Sequence, residues 1–146
     1  MDIPMATKVM LVDDEQQFVE LLSQRLELRG IKVTAVTSGE RAVSEVVDRN
    51  IDIAVVDLAM PGIDGIETLK RIKEKRPDVE VIMLTGQATV RSGIEAMKHG
   101  AIDFLEKPVD INILMEKIKV AKESRMKALE KKSIADLQNI LKSKSW

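Results

Sequence analysis

One apolar run of the chain extends from Ile51 to Val56, interrupted only by Asp52, and ends on the carboxylate of Asp57. A run of this length bounded by turn residues is typical of a strand buried on both faces, as in the middle of a parallel sheet. In such sheets ligands bind just beyond the carboxyl ends of the strands. We therefore expect Asp57 to face a crevice.

Four other apolar segments have the length of strands, and segments with helical spacing alternate with them. The predicted strands cover 8–12, 31–36, 51–57, 79–84 and 101–105. Apolar residues at spacings of three and four predict the inward faces of five helices, the fourth of which extends from Gln87 to His99. These residues are Phe18, Leu21, Leu22 and Leu26; Ala42, Val43, Val46 and Val47; Ile66, Leu69 and Ile72; Val90, Ile94 and Met97; and Leu114 and Ile118.

Residues that favour helix ends support these bounds. Gly30 and Gly100 follow the first and fourth helical segments, as glycines at helix C-termini commonly do. Thr37 is the predicted N-cap of the second helix, with Glu40 three residues later, and Asp64 and Asp110 are the predicted caps of the third and fifth helices.

Strict alternation of strands and helices predicts an α/β fold with a five-stranded parallel sheet and helices on both faces. Right-handed crossovers leave few arrangements, and we expect the doubly wound, flavodoxin-like order 2-1-3-4-5. That order places the ends of strands 1, 3, 4 and 5 around one crevice.

Composition excludes several classes of protein. The chain has no cysteine, so disulfides and thiolate metal sites are excluded. Its apolar runs are too short to span a membrane, and the first four residues do not resemble a signal peptide, so we expect a cytoplasmic protein with no membrane contact. Two Phe, one Trp and no Tyr offer no stacking platform for nucleic acid, and we expect no direct nucleic-acid binding.

Charge is unevenly distributed along the chain. Residues 111–146 carry nine Lys/Arg and four Asp/Glu, so 14 of the 23 basic and 20 of the 24 acidic side chains lie in residues 1–110.

The polar side chains expected at the crevice are Asp13, Asp14, Asp57, Thr85 and Lys107. Three converging carboxylates favour a bound divalent cation, and Mg²⁺ suits them because it takes oxygen ligands and binds phosphate. Aspartate can also act as a nucleophile toward phosphorus.

This set of residues resembles the receiver domain of two-component response regulators, either stand-alone or as the N-terminal part of a larger regulator. The match covers about residues 8–120 and includes Met60-Pro61-Gly62, Thr85-Gly86 and Lys107-Pro108. The resemblance implies that Asp57 accepts a phosphoryl group from a sensor histidine kinase or a phosphotransfer protein. Lys107 would hold that group, and the bond between Lys107 and Pro108 is expected to be cis.

The resemblance also implies a metal site and a switch. Asp14, Asp57 and the carbonyl of Ala59 would bind Mg²⁺ directly, and Asp13 would bind it through water. The switch residues would be Thr85 and Phe104. They would control a surface that binds a downstream protein or an output domain. A homodimer through residues 87–130 is one option.

The tail is the least constrained part of the sequence. We divide the chain into an N-terminal segment (1–7), a receiver domain (8–121) and a helical tail (122–146). The tail is either one long helix or two helices with a break near Ser133, where the sequence resembles a new capping box. It is either a solvated extension, or a dimerisation segment or linker.

Two alternatives from other classes remain open. A phosphatase of the haloacid dehalogenase type also uses an aspartyl phosphate on a doubly wound sheet, but its nucleophile follows the first strand in a D-x-D pattern, which the residues after Asp57 do not form. The second alternative is an interaction or dimerisation module that works without phosphate. We expect no enzyme activity beyond the chain's own phosphorylation and dephosphorylation.

Overall fold

A computed structural model describes residues 6–86 and 90–143, apart from the side chain of Val90. Five strands and five helices alternate along these residues: β1 (Lys8–Val12), α1 (Gln16–Glu27), β2 (Lys32–Val36), α2 (Gly39–Asp48), β3 (Ile53–Asp57), α3 (Gly65–Lys75), β4 (Glu80–Thr85), α4 (Val90–Lys98), β5 (Asp103–Glu106) and α5 (Ile111–Ser143). The strands are all parallel, in the order β2-β1-β3-β4-β5, which confirms the predicted fold.

Two apolar layers lie on opposite faces of the sheet. One layer joins α1 and α5 to the sheet, and the other joins α2, α3 and α4 to it. The side chains of β3 contribute to both, because alternate residues of a strand point to opposite faces. Every residue of β3 is buried, including Asp57. This central position explains the nearly continuous apolar run that predicted the strand.

The predicted helix ends are mostly confirmed, with one correction. The side chain of Asp64 accepts a hydrogen bond from the N–H of Glu67 at 2.9 Å, and Asp110 likewise accepts from the first turn of α5. The predicted cap of α2 was wrong: Ser38, not Thr37, has the extended N-cap backbone and accepts from the N–H of Arg41. Thr37 and Ser38 are adjacent and both are favoured N-cap residues, so the sequence alone does not determine which of them caps the helix.

The predicted inward face of α4 was also wrong. Ile94 is 61% exposed and Met97 46% exposed, whereas Gly93 and Ala96 are buried against the sheet. A Cβ atom on Gly93 would lie 2.8 Å from the ring of Phe104, so only a glycine permits this close approach. The expected start of this helix at Gln87 lies outside the described residues.

The other amphipathic helices bury most, but not all, of their predicted stripes. Leu22 and Leu26 of α1 are buried, whereas Leu21 is 58% exposed. In α2, Ala42 and Val46 are buried and Val47 is exposed. Apolar stripes predicted from spacing are therefore wider than the faces that pack.

The tail is a single helix throughout its described part. Leu114, Ile118 and Ala121 of α5 are buried against the sheet, and the helix continues without a break to Ser143. The alternative with a break near Ser133 was wrong, since that residue lies inside α5. Residues 130–143 are all exposed. No helix among the described residues is long and apolar enough to cross a membrane.

A polar network holds α5 against the edge of the sheet where the strands begin. Arg125 lies 3.1 Å from Asp52 and 3.0 Å from Asp78, and Arg76 lies 3.1 Å from Asp78. The hydrogen bond from Arg76, together with one from Arg125, lowers the pKa of Asp78 to about 2 despite its partial burial. Arg125 is only 14% exposed, so its two ion pairs are poorly screened by solvent.

We expect Arg125→Ala to lower the free energy of unfolding by about 2 kcal/mol, because it leaves two half-buried carboxylates without this partner. Urea denaturation at neutral pH measures the change. Arg41→Ala is the matched control, since Arg41 is 63% exposed and pairs with Glu45 within one helix. Its effect should stay within about 0.5 kcal/mol, and equal losses for the two variants would contradict a clamping role for Arg125.

Candidate functional site

Polar side chains gather at the edge of the sheet where the strands end. Asp13 and Asp14 follow β1, Asp57 is the last residue of β3, and Lys107 follows β5. The carboxylates of the three aspartates have oxygen atoms that all lie within 4.8 Å of one another. Asp13 and Asp57 are buried, whereas Asp14 is exposed. The structure thus brings together the carboxylates that the sequence pointed to.

Backbone hydrogen bonds continue the pairing of the strands into the site. The N–H of Asp13 donates to the carbonyl of Val36 at 3.2 Å, and the N–H of Lys107 donates to the carbonyl of Thr85 at 2.8 Å. Thr85, the last residue of β4, is buried. These bonds hold the residues that follow β1 and β5 next to the ends of neighbouring strands.

The loop after Asp57 is held from two sides. A Cβ atom on Gly65 would lie 2.3 Å from the carbonyl oxygen of Asp57, so the start of α3 packs directly on the end of β3. On the other side, the carboxylate of Glu40 accepts a hydrogen bond from the N–H of Ile63 at 3.1 Å. This tie between α2 and the loop was not predicted, because Glu40 and Ile63 are 23 residues apart. The N–H of Ala59 in the same loop hydrogen-bonds Asp57.

Lys107 is the cation nearest to this acidic cluster within the described part of the chain. Its Nζ lies 2.7 Å from an oxygen of Asp13, 3.5 Å from Asp57 and 3.7 Å from the exposed Glu15. Burial alone would lower the pKa of Lys107, but the hydrogen bond to Asp13 and the nearby carboxylates raise it above its ordinary value. The ammonium is therefore charged at any pH at which the protein functions.

The ammonium of Lys107 does not fully balance the negative charge of the Asp57 carboxylate. Burial, reinforced by the charge of Asp13, raises the pKa of Asp57 from 3.8 to about 6, although Lys107 and the N–H of Ala59 act in the opposite direction. The ionised form of Asp57 is therefore unfavourable in the absence of further positive charge. This is the electrostatic condition expected of a site that takes up a cation.

Thr85 and Phe104 share a cavity. Both line a small space of about 10 Å³ together with Leu58, Ser92 and Gly93. This volume is close to the minimum that holds one water molecule. The two residues predicted as a switch are therefore neighbours through this space.

Two neighbours of the site went unrecognised in the sequence. Glu15 follows the two aspartates, and its sequence position alone does not indicate a contact with Lys107; the spacing of Phe18 indicates only the apolar stripe of α1. The ring centroid of Phe18 lies 4.4 Å from the Nζ of Lys107. Phe18 lies in the first turn of the helix that follows the aspartates, and this position was the available signal.

Comparison with known proteins decides the family. The sequence model of the response regulator receiver domain matches residues 9–119. The chain belongs to the response regulator receiver family. A match over this length contradicts the haloacid dehalogenase alternative, and the bond between Lys107 and Pro108 is cis, as the resemblance implied.

Relatives of this receiver domain include larger regulators. The C4-dicarboxylate transport transcriptional regulatory protein DctD of Pseudomonas aeruginosa is 35% identical over 128 residues, which are 88% of this chain and 28% of DctD. The response regulator SaeR of Staphylococcus aureus is 37% identical over 102 residues, or 70% of this chain and 44% of SaeR. The chain thus spans less than half the length of either relative.

Solved receiver domains have the same fold. A CheY-like receiver domain protein from Methanospirillum hungatei matches with a TM-score of 0.80 and 26% identity, over 85% of this chain and 99% of that one. A receiver domain protein from Clostridium thermocellum matches with a TM-score of 0.78 and 32% identity, over 84% of this chain and 98% of that one.

We expect Asp57→Asn to stabilise the receiver domain at neutral pH when divalent cations are removed. The folded-state pKa of Asp57, about 6, lies above the ordinary value of 3.8, so the folded protein loses stability as the pH rises through this window. Asparagine carries no charge, and the variant should exceed the parent by about 1–3 kcal/mol at pH 7.

Urea denaturation in the presence of a chelator, at several pH values from 4 to 8, measures this difference. The advantage of the variant should grow between about pH 4 and pH 7 and stay constant above that range. Asp48→Asn, at an exposed position on α2, should show no such trend. A difference that shrinks as the pH rises would contradict the raised pKa.

Proposed function

We propose that this receiver domain accepts a phosphoryl group on Asp57 and thereby switches a protein-interaction surface. The observation that carries the proposal is the position of Asp57: a buried carboxylate at the end of the central strand, 3.5 Å from the ammonium of Lys107 and beside Asp13 and Asp14. The membership of the chain in the receiver family supports the same chemistry.

The proposed reaction is an in-line displacement. A carboxylate oxygen of Asp57 attacks phosphorus, and the bond from phosphorus to the donor nitrogen of a phosphohistidine breaks, with its electron pair remaining on the imidazole. Lys107 would neutralise charge on the phosphoryl oxygens, because its Nζ already lies beside Asp57. The donor is a sensor histidine kinase or a phosphotransfer protein. No other catalytic activity is proposed for the chain.

The residues at the site fit Mg²⁺. The cluster offers only oxygen donors, and its three carboxylates outnumber the single ammonium of Lys107 beside them. Asp14 and Asp57 would bind the ion directly with the carbonyl of Ala59, and Asp13 would bind it through water. When bound, the ion would reduce the repulsion between the carboxylates and the incoming phosphoryl oxygens.

Thr85 and Phe104 are proposed to transmit the state of Asp57. A phosphoryl group adds about −1.5 to −2 charges and strong acceptor oxygens, and the Thr85 hydroxyl would donate a hydrogen bond to one of them. Movement of Thr85 would open the cavity it shares with Phe104, into which the ring could turn. Phe104 packs against Gly93, so the change would reach α4.

The surface affected would be α4, β5 and the first part of α5. Ile94 and Met97 of α4 and Ile113 and Val120 of α5 are large apolar side chains that are about half exposed. Such residues suit contact with a downstream protein, an output domain or a second copy of the chain. We propose residues 122–143 as the segment that links the receiver domain to such a partner.

Intact mass after incubation with Mg²⁺ and a small acyl phosphate tests the proposed acceptor. We expect one added phosphoryl group on the parent chain, none on Asp57→Asn and none when the metal is chelated. Asp48→Asn, an exposed aspartate on α2, should be modified like the parent. A parent chain that stays unmodified while the donor is intact would instead support a phosphate-independent interaction module.

Calorimetric titration with Mg²⁺ tests the proposed ligands separately. Asp14→Asn should weaken binding by about tenfold or more, because it removes a charged ligand from the proposed coordination shell. Asp136→Asn, on the exposed end of α5, should bind like the parent. Equal Mg²⁺ affinities for the parent and the Asp14→Asn variant would show that Asp14 is not a ligand of the metal.

A further inference from the structure

The ammonium of Lys107 has an aromatic neighbour as well as its acidic ones. The ring centroid of Phe18 lies 4.4 Å from Nζ, within the range of a cation–π interaction. The charged neighbours are Asp13 at 2.7 Å, Asp57 at 3.5 Å and Glu15 at 3.7 Å. Lys107 is 17% exposed, so little water competes for its charge.

The ring of Phe18 is held in place by the fold. Phe18 lies in the first turn of α1 and packs against the apolar layer that joins α1 and α5 to the sheet. It also lines a groove of about 410 Å³ between α1 and the segment after β5, with Leu21, Lys107 and Pro108 among the other lining residues. The ring is thus part of the wall next to which the lysine side chain lies.

The aromatic contact differs in kind from the acidic ones. Asp13 and Asp57 belong to the carboxylate cluster that suits a divalent cation, so their charge would be shared when a cation binds. Their attraction for the ammonium would then weaken. The attraction of a ring face does not depend on that charge, and it grows where water is excluded.

We propose that Phe18 is a positioning residue for Lys107: its ring keeps the ammonium beside Asp57 while the carboxylates are occupied with the cation and the phosphoryl group. This inference rests on the proposed role of Asp57 as phosphoryl acceptor. It adds a residue from the first turn of α1 that acts on the reaction only through Lys107.

The rate of phosphorylation by a small acyl phosphate, followed by intact mass at saturating Mg²⁺, tests the inference. Phe18→Leu and Phe18→Met keep an apolar side chain but remove the ring face, and each should slow phosphorylation by about three- to tenfold. Phe18→Tyr keeps the face and should stay within about twofold of the parent. Leu21→Ala, which alters the same groove at a 58% exposed position, is the control and should also stay within about twofold.

Two further measurements separate positioning from a general loss of structure. Calorimetric Mg²⁺ affinity and the melting temperature should change little in Phe18→Leu. In a Lys107→Ala background, Phe18→Leu should change the remaining slow rate by less than about twofold, because the ring then has no ammonium to position.

The possible results distinguish this inference from the proposed function. If the parent chain itself is not phosphorylated, the proposed function fails and this inference fails with it. If the parent is phosphorylated, three results overturn the inference alone: an unchanged rate in both ring-free variants, an equal loss in Phe18→Tyr, or an undiminished effect without Lys107.

Discussion

The contact between the ammonium of Lys107 and the buried carboxylate of Asp13, at 2.7 Å, is the interaction on which the site depends. The doubly wound sheet brings the ends of β1, β3 and β5 to one edge, and each of these ends carries a charged residue. Without Lys107, two buried carboxylates would face each other in a region of low dielectric constant. With it, three carboxylates still share one ammonium, and burial together with the charge of Asp13 raises the pKa of Asp57 to about 6.

This imbalance of charge connects stability to the proposed function. A site that fully neutralised its own charges would bind a divalent cation only weakly, because the cation needs carboxylates whose charge is not already balanced. The receiver domain keeps Asp57 buried with its negative charge only partly balanced. The apolar core on both sides of β3 supplies the stability that offsets this unfavourable burial. The anchored loop after Asp57 limits how far the carboxylate can move away from Asp13.

Helix α5 connects the site with the opposite edge of the sheet. It begins four residues after Lys107, packs through Leu114 and Ile118, and reaches the network of Arg125, Asp52 and Asp78 where the strands begin. The 15 residues from Ile111 to Arg125 span about 22 Å at 1.5 Å per residue. Helix α5 continues without a break to Ser143. Its exposed part therefore extends directly from a helix that contacts the sheet both where the strands begin and where they end.

The sequence by itself determined the order of strands and helices, the parallel sheet and the residues at its functional edge. Those features depend on local periodicity and on which residue follows each strand, so the convergence of Asp13, Asp14 and Asp57 and the capping by Asp64 could be anticipated. Tertiary structure alone decided that Ile94 and Met97 face outward, that Phe18 lies over Lys107, that Glu40 holds the loop after Asp57 and that Arg125 pairs with Asp52 and Asp78. A stripe of apolar residues shows that a helix has two faces but not which one packs, and contacts between residues far apart in the chain exist only once the layers have come together.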